Sequence, residues 1–322
     1  MPDVLQKGVF LDLETVDNGD LDRSRLSSCL VEWDWYAFTE AQQTAGRIRT
    51  ADVVISNKCV LDRTALEPAG NLKLITLAAT GTNNVDLEVA AELGITVCNI
   101  RDYASNSVAQ HAITMMLNLL TAQPWYWQSV RQGDWSNSRQ FCLNDRPIRE
   151  FSGLIFGVIS YGVLGRATAE LAKSMGMKVL IAEHKGRAVR RGRVSFDQLI
   201  QQADVLSIHC PLTEETRGLI NREVLRSMKP SALLINTARG DIIDEIDLAE
   251  GLREGSIAGA GLDVLSEEPP PSGHPLLAND IPNLLITPHN AWASRTARQA
   301  TVDQLAELIN AFIAGGPMNQ VN

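Results

Sequence analysis

The chain of 322 residues is long enough for two domains with separate cores, and its 45% apolar and 21% charged residues are an ordinary globular composition. A formal charge of −9 disfavours nucleic acid and anionic membrane surfaces as partners, since each is met by a basic face. The start, MPDVLQKGVFLDLET, lacks a basic segment followed by an apolar core, and no apolar run approaches the roughly 18 residues that span a bilayer. Five scattered cysteines (Cys29, Cys59, Cys98, Cys142, Cys210) without a CxxC read as free thiols rather than a zinc site or disulfide framework, so a cytoplasmic location is expected.

Along residues 8 to 100, short apolar runs at Val9–Leu11, Val53–Ser56, Leu74–Ala78 and Thr96–Cys98 alternate with helical spacing at Thr39–Thr50, Leu61–Ala69 and Val85–Leu93. Such alternation predicts a small α/β unit with a parallel sheet. Two strand-end loops, Ser56-Asn57-Lys58 and Ala79 to Asn84, suit a carboxylate through free N–H groups, and equally suit plain surface turns. Ser107 and Gln110 have the spacing of a capping box, opening a helix to about Leu120 that is apolar nearly all round and so buried. His111 on that helix reads as a packed core histidine. Residues 124 to 150 then break the rhythm, with Trp125, Tyr126, Trp127, Trp135 and Phe141 among polar residues. This reads as a surface that meets a partner subunit, or as a flap folded on its own domain.

The stretch Leu154–Ala167, LIFGVISYGVLGRA, organises the remainder. An apolar strand run to Ser160, glycines at 162 and 165, and helical spacing from Arg166 to Met175 form the strand, turn and helix that hold a dinucleotide pyrophosphate. A second run, Met177–Ala182, ends on Glu183, twenty-one residues beyond Gly162, where a carboxylate would accept ribose hydroxyls. Ser160 stands where the usual fingerprint has its first glycine.

Further strand runs, Val205–His209, Leu233–Asn236, Ala258–Asp263 and Leu284–Thr287, each end on conspicuous chemistry, and strand ends of one doubly wound sheet converge on one crevice. If that crevice holds a nicotinamide and a small 2-oxo acid, His289 suits proton donation and Glu268 suits its orientation. Arg239, flanked by small residues, suits bidentate binding of the substrate carboxylate. Taken singly, these residues also fit a turn histidine, a solvated glutamate and a capping arginine. No metal-ligand spacing and no GxxxxGK[ST] loop appears.

The chain resembles the D-isomer-specific 2-hydroxyacid dehydrogenases, within them the bacterial glycerate dehydrogenase (hydroxypyruvate reductase) branch, over nearly its whole length. The resemblance is carried by ATGTNNVDLEVA (79–90), SVAQHA (107–112), the glycine motif, HCPLTEETRGLI (209–220), MKPSALLINTARGDIIDE (228–245), AGLDVLSEEPPP (260–271) and TPHNAWAS (287–294). It implies two doubly wound parallel-sheet α/β domains, with a Rossmann domain at 102–289 inserted into a smaller flavodoxin-like substrate domain, 1–101 plus 290–322. It implies Arg239, Glu268 and His289 as the catalytic set, with His289 as acid/base and Glu268 as its partner. The cofactor contacts it implies are Val108, Tyr161, Gly162, Val163, Leu164, Gly165, Glu183, His209, Cys210, Pro211, Thr216, Thr237, Ala238 and Asp263. Carboxylate binding at Thr80-Gly81 and Lys58 fits the family pattern, as does a homodimer with residues 122–150 in its arm. Asn290 departs from the apolar residue common after the histidine.

The expected activity is reduction of hydroxypyruvate to D-glycerate, and of glyoxylate to glycolate, with NADH. Glu183 favours NAD by repelling a 2′-phosphate, whereas Lys185 and Arg187 keep NADP open. The alternatives are a reductase of another small 2-oxo acid, and a non-catalytic NAD(H)-responsive protein of the corepressor kind.

Overall fold

Four strands, Val53–Ser56, Leu74–Leu77, Val205–Ile208 and Leu233–Asn236, each carry three Val, Ile or Leu residues and are buried on both faces, as parallel sheets covered by helices require. The computed structural model describes residues 5–322, in two units: 5–104 with Ala293–Asn322, and Ser105–Trp292.

In the first unit β1 (Lys7–Phe10), β2 (Glu32–Trp35), β3 (Val53–Ser56), β4 (Leu74–Leu77) and β5 (Thr96–Asn99) form a parallel sheet of order β2-β1-β3-β4-β5, the flavodoxin-like winding. The edge strand β2, Glu-Trp-Asp-Trp, is absent from the sequence reading because it holds no apolar run, although its charged and aromatic residues alternate with period two. Lys7 of β1 neutralises both acids, at 3.3 Å from Glu32 and 2.9 Å from Asp34, while Trp33 and Trp35 stack with ring centroids 4.8 Å apart. The helix Arg295–Ile313 is tied into this unit by Arg298, whose guanidinium reaches Asp20 at 2.8 Å and the Val16 carbonyl at 3.1 Å.

In the second unit β6 (Ile155–Ile159), β7 (Lys178–Ile181), β8 (Val205–Ile208), β9 (Leu233–Asn236), β10 (Gly259–Leu262) and β11 (Leu284–Ile286) are all parallel, in the order β11-β10-β9-β8-β6-β7. One bridging residue, Val194, pairs with Ala182 beyond β7 and supplies the outermost position of a dinucleotide-binding sheet. The register aligns Ile159, Ile208, Asn236, Leu262 and Ile286 in one row. The residues that follow them, Ser160, His209, Thr237, Asp263 and Thr287, therefore leave the sheet side by side.

Three details differ from the sequence reading. The buried helix spans Ser105–Thr121, and Ser107 lies inside it with its hydroxyl donated to the Ala291 carbonyl at 2.6 Å, so it is not a capping box. The segment from 124 is helical over Gln123–Gln132, started by a proline in its first turn and stopped by Gly133 at φ +88°. The units divide after Ala104 and Trp292 rather than after 101 and 289. Asp263 accepts the amides of Asn290 and Ala291 and so keeps them in the second unit, while Gln304 accepts the Arg101 amide and keeps it in the first.

Ser160 adopts φ +71°, a left-handed conformation that glycine enters freely. The turn is still tight, since a Cβ on Gly165 would lie 2.2 Å from the Ser160 carbonyl oxygen. Ser160→Gly removes the side-chain strain at some cost in unfolded-chain entropy, and is expected to stabilise the protein by up to about 1 kcal/mol in urea unfolding.

Candidate active site

The last strand of the second unit delivers its histidine under constraint. His289 has φ +51°, and its amide donates to the carbonyls of Asp263 at 2.8 Å and Thr287 at 3.0 Å. Beside it the Asp263 carboxylate, 1% exposed, accepts the Thr287 hydroxyl at 2.6 Å and the amides of Asn290 and Ala291 at 3.0 and 2.8 Å. The Trp292 indole donates to the His289 carbonyl at 3.0 Å. A left-handed non-glycine residue persists only where its surroundings determine it this fully.

The imidazole Nδ1 of His289 lies 2.6 Å from Glu268 Oε2, a charge-assisted distance. With Nδ1–H directed at a carboxylate, Nε2 is the nitrogen left for a substrate. Glu268 Oε1 meanwhile accepts the Leu265 amide at 3.0 Å, closing the turn that carries it. Arg239, exposed beyond β9, donates to the Ala238 carbonyl at 2.6 Å, and its own carbonyl accepts from Asn236 Nδ2 at 2.9 Å. Its neighbour Gly240 packs on the Glu268 loop so closely that a Cβ there would lie 1.9 Å from the Leu265 carbonyl carbon. Arg239, Glu268 and His289 thus leave three adjacent strands of one sheet.

At the other end of the row the helix Val163–Ser174 starts at Gly162 with no side-chain cap, and a Cβ on Gly162 would meet nothing within 4 Å. Tyr161 and Leu164 are half-buried there, and Val163 is exposed. A cleft beside this turn is walled by Ile159, Ala182, Phe196, Cys210 and Leu219 and edged by Glu183, Lys185 and Thr216. Glu183 is engaged by neighbouring donors. At 3% exposure it accepts Arg190 in fork geometry, Nε at 2.6 Å and Nη2 at 2.7 Å, and the His184 amide at 3.0 Å, with Arg193 at 3.8 Å. The Arg190 guanidinium, first among these partners, holds the Glu183 carboxyl down to about 2.

A family model described as "D-isomer specific 2-hydroxyacid dehydrogenase, NAD binding domain" matches residues 113–291. The glycerate dehydrogenase of Methylorubrum extorquens is 42% identical over 317 residues, covering 98% of this chain and 99% of the relative. The hydroxypyruvate reductase of Blautia hydrogenotrophica is 37% identical, covering 98% and 99%. Among solved structures, a protein of Thermus thermophilus has a TM-score of 0.86 at 33% identity, covering 98% of this chain and 100% of that one. The chain belongs to the D-isomer-specific 2-hydroxyacid dehydrogenases.

A dehydrogenase of this family needs a nicotinamide dinucleotide, and the second unit fits one. The uncapped helix start offers amides, Gly162 leaves room for phosphate, and the cleft walls are apolar. Two enclosed polar atoms in the strand-end row, His209 Nδ1 and Thr237 Oγ1, have no protein partner, as ligand-facing atoms would not. Thr216 and Asn236 instead spend their side chains on their own loops, on the Pro211 carbonyl at 2.7 Å and the Ala238 amide at 2.9 Å. Val108 is buried in its helix, and Pro211 is exposed on the loop that follows β8. Burial holds the Cys210 thiol up at about 11, so it lines the cleft without nucleophilic character.

The expected substrate contacts Lys58, Thr80 and Gly81 belong to the first unit, on loops beyond β3 and β4. Buried Asp12 accepts the amides of Asn57, Lys58 and Cys59, and Asn99 Nδ2 donates to the Thr80 carbonyl at 2.7 Å. The sequence reading missed Arg190, although it follows Glu183 in a visibly basic run. It also missed the relay from His111 Nε2 to Thr287 Oγ1, 2.9 Å, and on to Asp263, because three separate elements supply it. His111 accordingly helps to hold the His289 loop instead of only packing.

Burial pushes the His209 imidazole from 6.5 down to about 4. Between those values the unfolded chain binds a proton that the folded chain refuses, so stability falls with falling pH by about 3 kcal/mol across the window. Urea titrations from pH 7 to 4 are expected to show this loss in the native sequence and a shallower one in His209→Gln.

Proposed function

We propose that this dehydrogenase reduces hydroxypyruvate to D-glycerate, and glyoxylate to glycolate. The observation that carries the reading is the 2.6 Å pair of His289 Nδ1 and Glu268 at the end of the same sheet that presents Arg239. The fork of Arg239 takes the substrate carboxylate and orients the 2-oxo group. His289, protonated, gives its Nε2 proton to the carbonyl oxygen as that oxygen gains charge, and ends neutral. Glu268 steadies the imidazolium beforehand and fixes the ring. A reduced nicotinamide held by the second unit would supply the hydride for the carbonyl carbon.

The cofactor expected from Glu183 alone is NADH. A second reading, NADPH alongside NADH, is favoured by the engagement of that carboxylate with Arg190. Lys185, Arg187, Arg190, Arg191 and Arg193 form a basic run in a chain of net charge −9. Arg190 and Arg187, 61% and 68% exposed, line one hollow with Glu183 and Glu215, and Arg187 lies 3.5 Å from Glu215. With Glu183 neutralised, a 2′-phosphate meets attraction there rather than repulsion. A homodimer is supported by the apolar side chains left exposed on the arm segment, Trp127, Val130, Trp135, Phe141 and Ile148.

The test is loss of absorbance of NADH and of NADPH with hydroxypyruvate, glyoxylate, pyruvate and a bulkier 2-oxo acid. Hydroxypyruvate is expected to be reduced fastest, and Arg239→Ala to lower kcat/KM by about a hundredfold through loss of a bidentate charged contact. Tight dinucleotide binding without turnover on any acid would refute the enzyme reading in favour of a nucleotide-responsive protein. Arg190→Ala is expected to raise KM for NADPH about tenfold more than KM for NADH; an equal effect on both would return the site to NADH alone. Sedimentation should give a dimer, shifted towards monomer by Trp127→Glu combined with Phe141→Glu.

A further inference from the structure

Glu245 opens the helix Glu245–Glu254, six residues after Arg239, and its side chain turns inward to 11% exposure. The helix makes no use of it as a cap, because Asp244 already accepts the amides of Ile246 and Asp247. A carboxylate withdrawn from water is costly unless it is fully engaged, and this one is. Its Oε1 accepts the Ser266 amide at 2.8 Å. Its Oε2 accepts the Ser266 hydroxyl and lies 3.0 Å from His274 Nε2. His274, 5% exposed, accepts the Leu276 amide on Nδ1 at 3.3 Å, so its proton sits on Nε2 and points at Glu245.

The group anchored in this way is the meeting point of two functional loops. Ser266 and Leu265 are the residues against which Gly240, next to Arg239, packs without room for a Cβ. The Leu265 amide is also the donor to Glu268 Oε1, which leaves Oε2 to face His289. Glu245 therefore pins the one peptide that sets both where the arginine loop ends and where the Glu268 turn begins.

We propose that Glu245, with Ser266 and His274, is a positioning group for the reaction: it holds Glu268 at hydrogen-bonding distance from His289. The proposal rests on the reading of Glu268 and His289 as the acid–base pair, and assigns Glu245 no contact with substrate or cofactor.

The test is a double-mutant cycle in the full-length protein, with Glu245→Gln and Ser266→Ala each made alone and on Glu268→Gln. Glu245→Gln is expected to lower kcat/KM about tenfold, as loss of a group that orients a functional side chain does, and to move the alkaline fall of the pH–kcat/KM profile the way Glu268→Gln moves it. Dinucleotide affinity, read from nicotinamide fluorescence, should stay within about twofold. On the Glu268→Gln background the substitution should cost almost nothing more. Factors that multiply across the cycle, or a loss of stability with an unmoved pH profile, would overturn the proposal by reducing Glu245 to a structural residue. Ser266→Ala, which deletes one hydroxyl, carries the same test if Glu245→Gln fails to fold.

A second readout does not depend on turnover. In the 15N-histidine spectrum, the His289 Nδ1 proton, assigned by its absence in His289→Gln, should move upfield in Glu245→Gln as its carboxylate partner withdraws. An unmoved signal would refute the positioning role, whereas an inactive native protein with a shifted signal would fault only the proposed reaction.

Discussion

A charged carboxylate almost sealed from water dictates much of the second unit. Asp263, 1% exposed, has to be met by donors, since burying an unpaired carboxylate costs several kcal/mol. The Thr287 hydroxyl and two consecutive amides after His289 meet it. To bring them there the chain turns sharply at residue 289 and accepts a left-handed conformation. The direction of the His289 ring, and so its meeting with Glu268, follows from satisfying that buried charge. Family resemblance gave Asp263 a cofactor contact; its visible work is to shape the loop that holds the histidine.

The same principle operates with another outcome at the adenosine end. Glu183 is nearly buried, and its donors come from the guanidinium of Arg190 and the His184 amide. The carboxylate is thereby one half of an ion pair set in a basic segment. What the dinucleotide meets is the sum of the local charges rather than the sign of one residue. Where Asp263 fixes a geometry, Glu183 with Arg190 forms an ion pair beside the cleft.

Parallel strand pairing makes these devices neighbours. A ladder that keeps Ile159, Ile208, Asn236, Leu262 and Ile286 in one row delivers the residues after them to a common edge, whatever their separation in sequence. The close contact of Gly240 with the Leu265–Ser266 peptide then draws the arginine loop and the glutamate turn together. Ser160 shows the tolerance of this frame: the turn keeps its left-handed shape without the glycine, because Gly165 retains the close approach.

The sequence by itself determined the αβ alternation, most of the strands, the glycine turn and the candidate chemistry at strand ends. Each of these is written in a local period or a residue type that one segment carries alone. The strand Glu32–Trp35 escaped because it holds no apolar run, and the partner of its charges, Lys7, lies on another strand. The helix Gln123–Gln132 escaped because its proline start and glycine stop are set among aromatics that suggested a loop. The ion pair that occupies Glu183, the role of Asp263, the relay through His111 and Thr287, and the burial of Glu245 were decided only by tertiary structure. Each is a match between donors and acceptors on separate elements, and no single segment contains both halves of such a match.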